Sequence, residues 1–281
     1  GRPYARCWIG SGSGSHGNVN VSEALEVSCN YFFYTVAYRM NKGAGDLSGI
    51  NTLNKYMEAF GLNSPTGVEI SELYDSMSQY PTHISSPEYK KYITQQRDAD
   101  AKESDYKWSA GDTIRTAIGQ SYNNYTSALM SKYVATLANG GTRYSMHFLN
   151  KVTNNDGKTE EEYQPKVESK IEIKKENLDA IFKGMFLVTT GPRGTLRNYF
   201  KDFPVDVAAK SGTAQQSSKR SEHTTFVAFA PLEDPQISVC VIIPFGNGTT
   251  GPAPKVAKVA ISEYLKLDYK PELKSYDTLL H

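Results

Sequence analysis

Two short strings in this chain carry side chains able to do chemistry together: Ser28-Cys29-Asn30 near the front and Lys210-Ser211-Gly212-Thr213 near the back. They offer a hydroxyl, a carboxamide and an ammonium group, and a hydroxyl can both donate and accept a hydrogen bond. Converging on one pocket, these groups would suit group transfer at a hydroxyl-bearing centre. Taken singly they are weak signals: a lone Ser-Cys-Asn is usually a helix cap or turn, and Lys-Ser-Gly is usually a strand end. A third set, Cys7, His16 and Cys29, gathers thiol and imidazole, the preferred ligands of zinc. Its spacing matches no standard zinc motif, so a zinc site stands beside the plainer reading of ordinary buried thiols. Cys240 lies inside an apolar run and reads as core.

At 281 residues the chain can bury one large core, or one and a half domains. Its formal charge is +1, with basic and acidic residues mixed along the chain, which argues against a nucleic-acid-binding face. No apolar run approaches the roughly 20 residues that span a bilayer; the longest are Phe226–Ala230 and Val239–Ile243. No secretory signal is visible. Three cysteines are too few and too odd in number for a disulfide framework, and composition leaves the compartment open.

The elements that must position these groups follow from period and punctuation. The stretch 1–20 is irregular, and Gly10-Ser-Gly-Ser-Gly14 looks like an inserted, engineered flexible linker over 10–15, with a native loop as the alternative. Ser22 predicts the N-cap of a short helix over 22–26, and Tyr31–Asn41 a second helix with Phe32, Phe33, Val36 and Met40 in one stripe. A polar tripeptide between two buried helices is costly unless it lines a cleft. Asp46 predicts the cap of a helix running to Phe60 and closed by Gly61. Residues 71–107 are polar and aperiodic and read as a long surface excursion. Trp108–Gln120 leads into a helix over Thr126–Asn139, followed by a hairpin around Asn155-Asp156-Gly157 and an amphipathic helix over Glu176–Thr189. Three strands are predicted at Val205–Thr213, Thr224–Ala230 and Ile237–Ile243, then a helix at Lys255–Leu265 and a polar tail over 267–281. Helices first, then consecutive strands and a last helix, predict an α+β fold: an antiparallel sheet flanked by helices plus a mostly helical subdomain.

Longer segments around the two strings resemble class B penicillin-binding proteins. His16-Gly17-Asn18-Val19-Asn20-Val21-Ser22-Glu23-Ala24-Leu25, followed by Ser28-Cys29-Asn30-Tyr31-Phe32-Phe33-Tyr34, is similar to that family's Ser-x-Asn region. So are Ala117-Ile118-Gly119-Gln120 and the run Tyr133 to Gly141. Gly191-Pro192-Arg193-Gly194-Thr195 resembles the turn before the last catalytic strand, Lys210 to Gln215 the strand itself, and His223–Pro231 the strand beside it. The likeness extends from about residue 3 to residue 265, and the elongation-type subgroup is the nearest.

The resemblance implies a peptidoglycan D,D-transpeptidase at the extracytoplasmic face of the bacterial membrane, with D-Ala-D-Ala stem peptides as substrates and β-lactams as acylating mimics. It implies no required cofactor, and a glycosyltransferase of the elongation machinery as a possible partner. By the same resemblance Ser28 would relay a proton and Asn30 would bind the substrate amide. Lys210 would place positive charge beside Ser28. Ser211 and Thr213 would hold the terminal carboxylate, Gly212 would let the backbone approach, and Gln215 would line the substrate strand. The Thr213 backbone N–H would form half of an oxyanion hole.

One part of the family pattern is out of place. The nucleophile should lie on Ser-x-x-Lys ahead of Ser-x-Asn, whereas the Ser-x-x-Lys here, Ser104-Asp105-Tyr106-Lys107, comes after it in a polar stretch. An activating lysine must be partly desolvated, so Ser104 reads as coincidence. Gly1–Ile9 resembles sequence that follows the nucleophile helix by some tens of residues. The chain is therefore expected to be the C-terminal portion of a transpeptidase domain that is not acylated alone and leaves an apolar face on Tyr31–Asn41 uncovered. A D,D-carboxypeptidase or β-lactamase-like hydrolase, and a non-catalytic β-lactam-sensing or scaffold domain, remain the alternatives.

Overall fold

The computed structural model describes residues 7–11, 14–43, 45–69, 82–214, 221–246 and 251–269. Its helices begin with α1 (Val21–Glu26), α2 (Asn30–Met40), α3 (Ser48–Ala59), α4 (Pro87–Arg97), α5 (Glu103–Tyr106), α6 (Ala110–Thr116) and α7 (Ser127–Ala138). Four short strands follow, β1 (Thr142–Tyr144), β2 (Lys151–Thr153), β3 (Thr159–Glu162) and β4 (Val167–Lys170). Next come α8 (Lys175–Thr190), α9 (Arg197–Phe200), β5 (Ala208–Ala214), β6 (His223–Ala230), β7 (Ile237–Ile243) and α10 (Ala253–Leu265).

The main sheet is antiparallel in the order β5-β6-β7, with Lys210 opposite Val227 and Gly212 opposite Thr225. β6 alternates as a strand buried on both faces must. Phe226, Ala228 and Ala230 meet Ala253, Ala257 and Ile261 of α10 together with Phe200 of α9, while Phe229 turns the other way onto Val134 and Leu137 of α7 and Met185 of α8. By the same two-residue period Lys210 shares the face of Ala208, which lies in the α7 and α8 cluster. The α+β reading, with helices on both faces of an antiparallel sheet, therefore holds. The hairpin around Asn155–Gly157 is formed by β2 and β3, and β1 pairs with β4 in a separate ladder.

Several local expectations are corrected. Asn20, not Ser22, caps α1: its side chain accepts the Glu23 N–H at 3.1 Å and Glu23 returns a bond to the Asn20 N–H at 2.9 Å. Ser22 is buried and donates instead to the carbonyl of Ala180 at 2.6 Å. α3 starts at Ser48, with Asp46 two residues ahead accepting the Ser48 N–H at 3.2 Å. The stretch read as an aperiodic excursion contains α4, capped by Ser86 and opened by Pro87. It lacks an apolar stripe because one inward residue is Lys90, buried and paired at 2.9 Å with Asp112. Residues 71–81 of that stretch, residues 1–6 and 12–13 of the irregular start, and 270–281 of the tail lie outside the described residues.

Candidate active site

Ser28 sits in the turn joining α1 to α2, with a left-handed φ of 53° that an L-residue adopts only under constraint. Trp8 supplies part of that constraint. Its indole N–H is shared between the carbonyls of Val27 at 3.2 Å and Ser28 at 3.1 Å. Cys29, next in the turn, is buried, and Asn30 opens α2 half-buried.

Lys210 reaches this turn from β5. Its Nζ donates to Ser28 Oγ and, at 2.8 Å, to the carbonyl of Ser211. Burial disfavours the ammonium form and pulls Lys210 down from 10.5 to about 8. A hydroxyl and a lysine close to its own titration point can exchange a proton near neutral pH. Beyond Lys210, Ser211 is buried, Gly212 half-buried, and Thr213 exposed at the outer end of the strand. Gln215 lies outside the described residues. The structure thus brings Ser28, Lys210 and the Ser211–Thr213 segment to one place, with Asn30 two residues from Ser28.

Ser104 stands apart from this site. It occupies the single turn α5, where it is exposed and its hydroxyl donates to Asp105 at 3.3 Å. Lys107 is exposed as well, so nothing there desolvates a base. The helical turn itself was not expected from the polar sequence.

Cys7, His16 and Cys29 form a compact group whose ligand atoms all lie within 4.8 Å of one another. Cys7 Sγ is 3.5 Å from His16 Nδ1. Burial, followed by the nearby Arg193 charge, lowers His16. Burial also raises the Cys29 thiol. Cys240 lies outside this group on β7, half-buried rather than in the core expected for it, its thiol pushed up to about 11 by burial.

Trp8 is the residue that sequence reasoning missed. A tryptophan beside a Gly/Ser-rich run gives no signal that its N–H holds carbonyls 20 positions away.

A three-stranded antiparallel sheet with helices on both faces, and a serine turn docked on a desolvated lysine of its edge strand, define an α+β domain of the penicillin-recognising kind. The family model described as the penicillin-binding protein transpeptidase domain matches residues 3–261, and the chain belongs to that family. It is 33% identical over 252 residues to the peptidoglycan D,D-transpeptidase MrdA of Escherichia coli K12, covering 85% of this chain and 36% of that protein. It is 29% identical over 280 residues to MrdA of Haemophilus influenzae, covering 93% and 38%. Penicillin-binding protein 2 of Pseudomonas aeruginosa, solved in complex with WCK 5153, superposes with a TM-score of 0.71 at 26% identity over 97% of this chain and 52% of that one. The chain spans a little over a third of the length of these curated relatives. Among the described residues no helix is long and apolar enough to cross a membrane.

Proposed function

We propose that this chain supplies the Ser28, Asn30 and Lys210 side of a peptidoglycan D,D-transpeptidase centre working at the extracytoplasmic face of the membrane. One observation carries the reading: a Lys210 ammonium desolvated against the Ser28 hydroxyl, across 182 positions of sequence. In this reading Ser28 shuttles the proton between the acylated serine and the leaving amine, and Lys210 sets its direction. The acylated serine comes from outside the described residues. Asn30 holds the substrate amide, and Ser211 and Thr213 hold the terminal carboxylate of a D-Ala-D-Ala stem peptide or of a β-lactam. The Thr213 N–H faces the oxyanion. Gly212 keeps the strand open to the peptide backbone, and Gln215 binds substrate in the same reading. A glycosyltransferase of the elongation machinery is the partner this reading expects.

The test is fluorescent-penicillin labelling of the full-length protein that carries this chain. Labelling is expected in the parent and lost in Lys210→Ala; labelling that survives the substitution overturns the role given to Lys210. Transfer to an added amino acceptor, rather than to water, separates a transpeptidase from a carboxypeptidase or β-lactamase. Labelling without any turnover identifies a sensing domain.

The Cys7, His16 and Cys29 group favours a second feature, a structural zinc. Zinc sits about 2.0 to 2.3 Å from nitrogen and sulfur ligands, and donor atoms within 4.8 Å of one another suit such an ion. A lowered histidine pKa fits as well, because the ligand must be neutral. These residues would hold the ion and fasten the segment 7–16 to the turn beside Ser28. Stoichiometric zinc in a chelator-free preparation, lost in Cys7→Ser, is the expected result; its absence from the parent removes the site.

A further inference from the structure

Glu26, the last residue of α1, is 3% exposed yet carries a carboxylate. Burying such a charge costs several kcal/mol unless it is paired and hydrogen-bonded, and the sequence placed no function on it. Its partners come from the turn after α8. The Arg193 backbone N–H donates to Oε1 at 3.0 Å, and the Arg193 guanidinium lies 3.9 Å from Oε2. Gly191 allows the approach, because a Cβ there would stand 2.3 Å from Glu26 Oε1. The other guanidinium arm of Arg193 donates to the carbonyl of His16 at 3.3 Å. Arg193 therefore ties the front of the chain, at Glu26 and at His16, to a turn more than 160 positions further on.

α8 is the common support. On one side it receives α1 through the Ser22 to Ala180 bond at 2.6 Å and through Gly184, where a Cβ would fall 2.7 Å from the Leu25 side chain. On the other side Thr189 Oγ1 donates to the carbonyl of Val207, at 2.7 Å, just ahead of β5. Ser28 and Lys210 thus arrive from opposite ends of the chain but are set against the same helix. Glu26, two residues ahead of Ser28, binds the turn that follows α8. It fixes the chain just before the left-handed turn that Trp8 holds from outside.

We propose that Glu26 is a positioning residue for the Ser28–Lys210 pair, its buried carboxylate locking the Ser28 turn to the Gly191–Arg193 turn that follows α8. The inference deepens the acyl-transfer reading of this site, and it can be tested without turnover. In the 281-residue chain the Lys210 side chain is titrated by NMR, its signal assigned by loss in Lys210→Arg. The midpoint is expected near 8 in the parent. Glu26→Gln keeps an acceptor for the Arg193 N–H but removes the charge, and Arg193→Ala removes the guanidinium.

Both variants are expected to raise the Lys210 midpoint by about one pH unit as the turn loosens and water reaches Nζ. Their effects should be non-additive in the double variant. A fall in melting temperature with the Lys210 midpoint unmoved would mean a merely structural carboxylate and would overturn the proposal, as would no change in either quantity. If Glu26→Gln does not fold, Arg193→Ala alone gives the same decision. Failure of penicillin to label the full-length protein would count against the transpeptidase reading while leaving this titration result intact.

Discussion

The sheet that delivers Lys210 and the helix that follows Ser28 are held by different physics. Around β6, the side chains of Phe226, Phe229, Ala228, Ala253, Ala257 and Ile261 are all fully buried. In α2 Ala37 alone is buried, while Tyr31 and Tyr38 are 63% and 64% exposed. Of the apolar stripe expected to be uncovered only Val36 is exposed; Phe32, Phe33 and Met40 are half-buried, and Phe32 and Phe33 pack against Ala24, Val27 and Cys29. The neighbouring α6 is held by charge: Asp112, 1% exposed, accepts from Lys90 at 2.9 Å, from the Ser109 hydroxyl at 2.7 Å and from Arg115 at 2.7 Å. Burial alone would raise Asp112, but the bonds from Lys90 and Ser109 outweigh it and hold the carboxyl below its ordinary range. Apolar packing makes a stiff platform for one catalytic group. Directional polar links set the other and leave its outer surface free.

The largest expected effect breaks the stiff side. Phe226→Ala removes a ring stacked on Phe200 at the centre of the sheet and should cost about 4 kcal/mol in denaturant unfolding; a loss under about 1 kcal/mol would mean that the two regions are not held so differently. Asp112→Ala attacks the polar side and strands the Lys90 ammonium, at a cost of about 3 kcal/mol. Hydrogen exchange should then quicken in α4 and α6 while β6 stays protected; uniform loss of protection would erase the contrast.

A pH experiment sharpens the boundary between the two sides. Lys210 titrates near 8 in the fold and near 10.5 when free, so between those values only the unfolded chain holds the proton. Raising the pH through this window strips the unfolded state alone, and stability should climb by up to about 3 kcal/mol relative to Lys210→Met. Equal pH dependence in parent and variant would show that Lys210 is not desolvated. The smallest effect concerns α7, capped by the Thr126 hydroxyl at 3.2 Å from the Leu129 N–H. Thr126→Ala should cost about 1 kcal/mol by thermal melting, with Lys210 titrating as before.

Legibility in the sequence followed the same division. β5, β6, β7, α7, α8 and α10 were readable to within a few residues because apolar alternation and the 3.6-residue stripe are local signals of a core. α4 was not, since its buried lysine is indistinguishable from a solvated one until Asp112 is brought beside it. Asn20 and Ser22 are both good caps by residue type, and only the contact of Ser22 with Ala180 separates them. Trp8 and Glu26 had no signal at all, and Arg193 stood only as one residue of a family-like turn, because their partners lie far along the chain.

What the sequence determined by itself is the inventory: the strands and helices that line the apolar core, and that a hydroxyl, a carboxamide, an ammonium group and a thiol–imidazole set are present at fixed positions. Periodicity and capping are properties of neighbours in the chain, so they survive without coordinates. The tertiary structure alone decided that Ser28 and Lys210 meet and that the lysine is stripped of water. It also decided that a buried carboxylate at Glu26 joins the two sides. Those outcomes depend on α8 accepting α1 on one flank and β5 on the other, and desolvation and ion pairing are set by what packs in space.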